Sequence, residues 1–195
     1  VEAPQDWLTV RLGLTREAAD AATVQNQLRS AIDTALATAR PQARSQQMEV
    51  RSGAFGVSPR YGRDGKINGW QGSAELVLEG RDVPLITATA GKLSGLTVSS
   101  MGFSLSRDAR RQLESAVQAQ AIERFRARAA EVTQAFGFSA YTLGAVSISS
   151  TDEGARPMPR MMAMEARAAV ADAPLPVEAG TDTVSVTVSG SIQVR

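Results

Sequence analysis

The segment from Ser106 to Gly137 constrains the fold more than any other, because its residues predict one long helix. No glycine or proline interrupts it before Gly137, and Ala, Gln, Glu and Arg, which favour helices, dominate it. Ser106 is the predicted N-cap, and Gly137 is a natural left-handed stop. We therefore expect a rod that packs on a sheet through one apolar face. That face repeats every three or four positions and consists of Leu113, Val117, Ala121, Phe125, Ala129, Val132 and Phe136.

Three arginines near the start of this helix oppose its dipole. Arg107, Arg110 and Arg111 lie where the helix dipole disfavours positive charge. We interpret them as a solvated face in which Glu114, one turn on, pairs with Arg110 and Arg111. A contact with an anion or with another subunit is the alternative.

Composition excludes several classes of function. The chain has 195 residues, of which 43% are hydrophobic, so it is long enough for a real core. With no cysteine and no histidine, it lacks thiolate and imidazole ligands, disulfides and the commonest general base. The formal net charge of +1, without a basic stripe, argues against a nucleic-acid partner. No apolar run approaches the roughly 20 residues of a transmembrane helix.

The rest of the chain alternates between strand and helix patterns. Period-two alternation from Trp70 to Glu79 is among the cleanest in the chain, and the phase slips between Val98 and Met101, which predicts a bulge or a bend. Thr15, with Glu17 two residues on, is the predicted start of the first helix, and Pro41 its predicted end. Strands are predicted at 8–14, 48–57, 70–79, 96–105, 141–150 and 184–194, and helices at 16–40, 81–93 and 106–137.

These elements predict an α+β protein. We expect a two-layer arrangement of antiparallel sheet with two long helices and one short helix packed on one face, in the order β-α-β-β-α-β-α-β-β. We treat residues 1–195 as a single domain. Two interlocked subdomains are the alternative, with 46–105 inserted between 1–45 and 106–195.

The candidate reactive groups are few. Four of the six methionines fall in one proline-containing stretch, and thioethers are soft ligands that suit Cu(I). The alternative for this stretch is a loop whose methionines pack on an apolar surface. The four residues are Met158, Met161, Met162 and Met164.

Three other pairs of residues are candidate sites. Glu75 and Glu79 share a predicted strand face and could act as an acid–base pair, although a wet sheet face is the more ordinary interpretation. Lys92 and Ser94 could form a Ser–Lys dyad, but lie in a predicted turn. Tyr61 and Trp70 flank a predicted hairpin, where packing is a better interpretation than ligand stacking. We assign no catalytic, cofactor-binding or metal-binding residue.

Four stretches taken in order carry a family resemblance. They are LTVRLGLTREAADAATVQNQLRSAIDTAL, GWQGSAELVLEGRDV, GLTVSSMGFSLSRDARRQLESAVQAQAIERFRARAAEVTQAFGF and VEAGTDTVSVTVSGSIQV. Together they resemble the SIMPL-domain proteins, which include bacterial periplasmic immunogenic proteins and oxidative stress defence proteins. Trp70 stands where that family usually has Tyr or Phe. The resemblance implies export, a two-part α+β fold, self-assembly in some members and a link to oxidative stress; it brings no catalytic residue with it.

We therefore expect an exported, non-enzymatic protein of the periplasm or cell envelope that self-assembles or binds an envelope protein. The numbering begins at Val1 and not at Met, and we expect a signal peptide outside it. The alternative is a periplasmic protein that binds a small ligand or Cu(I) through the Met-rich stretch 158–164.

Overall fold

The computed structural model describes residues 1–153 and 178–195. In these residues the chain forms three α-helices and two antiparallel sheets, which confirms the α+β prediction. One short strand at the N-terminus was not predicted, and it makes the order β-β-α-β-β-α-β-α-β-β. The strands are β1 (Glu2–Pro4), β2 (Trp7–Ala18), β3 (Glu49–Tyr61), β4 (Ile67–Gly80), β5 (Thr97–Ser104), β6 (Tyr141–Glu153) and β7 (Thr181–Val194); the helices are α1 (Ala21–Ala39), α2 (Val83–Lys92) and α3 (Arg107–Ala135), with a 3-10 turn at Arg40–Gln42.

The described residues divide into two compact units. Residues 7–104 form one of them, which we call the four-stranded unit. Residues 1–6, 105–153 and 179–195 form the other, the three-stranded unit.

The four-stranded unit is a sheet of order β3-β4-β2-β5 with α1 and α2 packed against it. Alternation along β2 buries Leu8, Val10, Leu12 and Leu14, while the residues between them are half-buried. Each of these leucines and Val10 pairs with a buried residue of β4, so the two central strands present one continuous apolar face. The predicted bulge is present, because the register of β5 against β2 shifts between Arg11 and Leu12. This face, covered by the helices, holds most of the buried core of the described chain.

The first helix begins later than Thr15, so that prediction was wrong. β2 continues to Ala18, because its last residues still pair with β4, Ala18 lying opposite Trp70. The N-cap is Asp20, whose carboxylate accepts hydrogen bonds from the Thr23 backbone N–H at 2.8 Å and from the Thr23 hydroxyl at 2.7 Å. Pro41 falls just after the helix, as predicted.

Asp20 gives the stability of this helix a predictable pH dependence. The hydrogen bonds from Thr23 hold the pKa of the Asp20 carboxyl below its usual 3.8. Because folding lowers this pKa, the carboxylate stabilises the fold at pH values above its pKa in the unfolded chain. The stabilisation is lost as the pH falls through the pKa of the folded state. We expect Asp20→Asn to be less stable than wild type at about pH 7, and the gap to shrink at about pH 2, measured by urea unfolding at both pH values. The same difference in stability between Asp20→Asn and wild type at both pH values would contradict the role given to the Asp20 carboxylate. Asp20→Ala, which removes the hydrogen-bond acceptor, should be less stable than wild type at both pH values.

The three-stranded unit is a sheet of order β1-β7-β6, with α3 lying mainly along β7. Ser106 caps α3 by accepting a hydrogen bond from the Ala109 N–H, and Gly137, with a φ of 80°, follows its end. Both end signals were read correctly from the sequence. The helix runs in the same direction as β7, because Arg110 near its start meets Asp182 and Phe125 farther along meets Gly190.

The predicted buried face of α3 is only partly covered. Leu113, Val117 and Phe125 are half-buried, and Ala129 is buried together with Thr133, which the apolar pattern did not include. Phe136 was expected on this face but is 73% exposed, because the helix ends at Ala135. The long helix is therefore a half-buried element, and the larger core lies in the four-stranded unit.

No helix in the described residues is long and apolar enough to cross a membrane.

Candidate functional site

The two glutamates proposed as an acid–base pair are each matched by an arginine of a neighbouring strand. Glu79 forms a bidentate ion pair with Arg51 of β3, with an Nε–Oε1 distance of 2.8 Å. Glu75 lies 3.7 Å from Arg11 of β2. The hydrogen bond to Glu79 raises the pKa of the Arg51 guanidinium above its usual range. These are cross-strand ion pairs, and their geometry favours the wet-face interpretation over general acid–base chemistry.

The structure describes two of the three remaining sequence candidates, the Lys92–Ser94 pair and the Tyr61–Trp70 pair. The hydrogen bond between Ser94 and Lys92 joins backbone atoms, the Ser94 N–H donating to the Lys92 carbonyl at 3.0 Å. Trp70 is half-buried against the core of the four-stranded unit, whereas Tyr61 is exposed at the end of β3. Within residues 1–153 and 178–195, no three acidic side chains are placed to hold a metal ion. Met158, Met161, Met162 and Met164 lie outside the described residues.

A buried polar cluster joins the start of α3 to β1 and β7. Asp182 is 5% exposed, and its carboxylate accepts hydrogen bonds from the Gln5 side chain at 2.7 Å and from the Leu105 N–H at 3.2 Å. Arg110 lies 3.8 Å from the same carboxylate. Among the described residues, Arg110 therefore pairs with Asp182. The sequence had suggested a pair with Glu114 instead.

A second carboxylate completes this cluster. Asp6 accepts hydrogen bonds from the backbone N–H of Ser106 at 2.6 Å and from its hydroxyl at 2.8 Å. Ser106 is 3% exposed and itself accepts from Ala109, so the cap of α3 is tied to the residues that follow β1. Asp6 and Asp182 each accept a hydrogen bond from a backbone N–H at the start of α3, which indicates a structural role.

The sequence pattern could not reveal this cluster. Asp182 is 77 residues from Leu105 and 177 from Gln5, and Asp6 is 100 from Ser106. Aspartates at strand ends are common in turns, so neither carries a local signal of burial.

The most distinctive exposed feature is the edge strand β6. It pairs with β7 on one side only, and among the described residues no strand lies on its other side. Residues 141–151 contain no charged residue and no proline, which are two of the devices by which proteins protect a sheet edge. A third device, an irregularity in the pairing, is present between Leu143 and Val146. The lack of charge and proline is visible in the sequence, but the position of β6 at the edge of a sheet is not.

Three large apolar side chains of β6 are left half uncovered. Leu143, Val146 and Ile148 pair with Ile192, Gly190 and Val188 of β7, and directly paired residues point to the same face of a sheet. That face is the one covered by α3. The helix lies over β7 and reaches little of β6, so the three side chains remain 44–48% exposed. We call Leu143, Val146 and Ile148 the β6 strip.

The end of α3 adds two more exposed aromatic rings. Phe136 and Phe138 bracket Gly137 in the turn that leads directly into β6. Five large apolar residues are thus exposed between positions 136 and 148. Exposed apolar groups concentrated in this way mark interaction surfaces in soluble proteins.

Comparison with known protein families agrees with the resemblance seen in the sequence. A family model described as SIMPL, protein of unknown function (DUF541), matches residues 1–192. A search of the curated proteins found no significant match. The match covers nearly the whole chain, and its description assigns no activity.

Proposed function

This chain is a member of the SIMPL family, and we propose that it works by self-assembly and not by catalysis, with β6 as the joining strand. The observation that carries the proposal is the edge of β6, which has no strand partner among the described residues, together with the β6 strip. A stretch of edge strand without charge or proline, such as residues 141–151, is a template for pairing with another chain.

The backbone of β6 is suited to accept a second strand. Val1 and Val184 exchange both backbone hydrogen bonds, so residue 184 directs its N–H and C=O towards β1. Alternate residues of an antiparallel strand face opposite neighbours, so Ser185, Thr187 and Ser189 face β6. The β6 residues that pair with these three direct their backbone N–H and C=O groups back to β7. The N–H and C=O groups of Val146 and Ile148 are therefore directed to the open edge.

A second copy of the same chain fits this edge. Antiparallel pairing of two β6 strands has a two-fold axis perpendicular to the sheet, which keeps the α3 face of both copies on the same side. The two β6 strips would then meet between the two helices and cover each other. No like charges would oppose one another in the pairing, because residues 141–151 are uncharged.

The cellular setting forms part of the same proposal. We infer export to the periplasm or cell envelope and a role in oxidative stress defence, supported by the resemblance of this chain to periplasmic and stress-defence members of its family. Assembly requires no reactive side chain, which suits a chain without histidine or cysteine.

The proposal is tested by introducing a charge at the edge. Ile148→Lys should weaken self-association by about tenfold or more, since a desolvated ammonium would oppose pairing. Ile67→Lys in β4 is the matched control: Ile67 is 52% exposed against 46% for Ile148, and it lies in the other unit. Sedimentation equilibrium over a range of protein concentrations measures both variants against wild type.

We expect wild type and Ile67→Lys to form dimers or larger species, and Ile148→Lys to approach the monomer mass of 20.6 kDa. A wild-type chain that stays monomeric at the highest concentration would overturn the proposal. So would an equal effect of the two substitutions.

A further inference from the structure

We propose that a pocket between α1 and β3 binds a free amino acid with a large apolar side chain, whose α-ammonium and α-carboxylate groups are held by Asp33 and Arg29. The pocket belongs to the four-stranded unit, whereas β6 belongs to the other unit, and a ligand site goes beyond the assembly role proposed above. It rests on three observations: a bulge in the sheet beside the helix, an apolar pocket at that point, and two opposite charges at its rim.

A bulge in β3 lies under the first helix. Ser52 pairs with Leu76 and Phe55 with Ala74, so two residues of β3 stand opposite one residue of β4. Such a bulge bends its strand and interrupts the pairing, and bulges are frequent next to active sites. Directly paired residues point to the same face, so Phe55 lies on the face of Ala74, which α1 covers. Phe55 is nevertheless 50% exposed, so the helix leaves space beside it.

The space beside Phe55 is an apolar pocket of about 190 Å³. Ile32 of α1 and Ala74 of β4 line it and are themselves buried, and Phe55 lines it on the β3 side. An apolar cavity of about 150 Å³ is large enough to hold benzene. The pocket therefore has room for one aromatic ring or one branched aliphatic side chain.

The helix adds two opposite charges to this pocket. Arg29 and Asp33 also line it and lie one turn apart on α1, with side chains that are 78% and 67% exposed. The Arg29 Nε atom is 3.8 Å from the Asp33 Oδ2 atom, which is longer than a hydrogen bond. Exposed ion pairs of this kind contribute little to stability, so both groups can turn to a ligand at small cost. A guanidinium group then binds a carboxylate through two N–H donors, and a carboxylate accepts from an ammonium group.

An apolar amino acid matches this arrangement of charges. Its ammonium and carboxylate groups are attached to the same carbon atom as its side chain, so they can meet Asp33 and Arg29 while the side chain enters the pocket. A simple amine would bring its positive charge close to Arg29 without compensation, and a simple carboxylic acid would bring its negative charge close to Asp33. Both of these like-charge contacts are unfavourable.

Three probes of the same size test this charge requirement. L-phenylalanine carries both charged groups, 2-phenylethylamine carries only the ammonium group, and 3-phenylpropionate carries only the carboxylate. Isothermal titration calorimetry measures the binding of each probe to the full chain. We expect saturable binding of L-phenylalanine with a Kd of about 1 mM or lower, and at least about fivefold weaker binding of the other two probes.

Two substitutions assign each charge to its partner. Arg29→Ala should weaken the binding of L-phenylalanine about fivefold or more and should not weaken that of 2-phenylethylamine, which has no carboxylate. Asp33→Ala should weaken L-phenylalanine by a similar factor and should not weaken 3-phenylpropionate, which has no ammonium group. Arg40→Ala is the matched control, because it removes an exposed arginine just after α1 that does not line the pocket. This variant should bind all three probes as wild type does.

The pocket itself is tested by Phe55→Ala, which should weaken L-phenylalanine because it removes one apolar wall. Affinity equal to wild type in this variant would overturn the proposal. So would the absence of saturable binding of L-phenylalanine up to about 10 mM, which is weaker than specific recognition requires. Equal affinities for the three probes, or equal losses in Arg29→Ala and Arg40→Ala, would also overturn it. None of these measurements depends on oligomeric mass, so the pocket and the β6 edge are tested separately.

Discussion

Gly80→Ala should lower the free energy of unfolding of the four-stranded unit by about 3 kcal/mol or more. Gly80 is the last residue of β4 and is packed against the turn that precedes β3. A methyl group there would lie 2.1 Å from the Gln47 carbonyl oxygen and 3.0 Å from the Met48 Cα. These atoms belong to the backbone, so no side-chain rotation can relieve the contact.

The backbone shift that Gly80→Ala requires would disturb two other features. The Asp82 N–H donates to the same Gln47 carbonyl at 2.9 Å, and Met48 is fully buried in the core. Moving the turn therefore weakens a hydrogen bond at the start of α2 and loosens the packing of Met48. Both losses add to the steric cost.

Gly91→Ala is the matched control for this prediction. Gly91 is an exposed residue of α2, and nothing lies within 4 Å of the position that its methyl group would take. Alanine favours helices over glycine by about 1 kcal/mol, so this variant should keep or gain stability. Urea unfolding measures both variants. Equal stability of Gly80→Ala and wild type would show that the turn before β3 is free to move.

The second large effect is expected at Asp182, where alanine should cost the three-stranded unit about 3 kcal/mol. The substitution removes the acceptor for the Leu105 N–H, which is buried, and for the Gln5 side chain. It also takes away the carboxylate that lies 3.8 Å from Arg110. Buried donors that lose their acceptor cost far more than exposed ones.

Two variants separate this cause from a general loss of charge. Asp182→Asn keeps one acceptor oxygen, so its cost should lie between that of alanine and wild type. Asp33→Ala removes a mostly exposed carboxylate 3.8 Å from Arg29, and should change stability by less than about 0.5 kcal/mol. Hydrogen exchange should show faster opening of the first turns of α3 in Asp182→Ala. A cost no larger than that of Asp33→Ala would contradict the role assigned to Asp182.

Local signals were sufficient to predict several elements. Ser106 and Gly137 marked the ends of α3 correctly because capping depends on residues within one turn. The alternation from Trp70 to Glu79 predicted β4 and its buried face because side chains of a strand change sides at every residue. The slip between Val98 and Met101 predicted the irregular pairing of β5 for the same reason.

Other elements depended on partners that lie far away in the sequence. Residues 16–18 favour a helix locally, yet they form the end of β2 because β4 offers them ladder partners. Glu75 and Glu79 share a face as predicted, but only the pairing of β2, β3 and β4 places an arginine beside each of them.

The sequence by itself determined most of the helices and strands and the fold class, since these follow from periodicity and capping residues. Its segments, taken in order, carried the resemblance to the SIMPL family that the family model confirms. The tertiary structure decided which strands are edges, how much of α3 is covered and which carboxylates are buried. Those properties arise from strand order and register, which bring together residues up to 177 positions apart. Their free energies depend on burial and on hydrogen bonds between distant segments, and no local pattern contains that information.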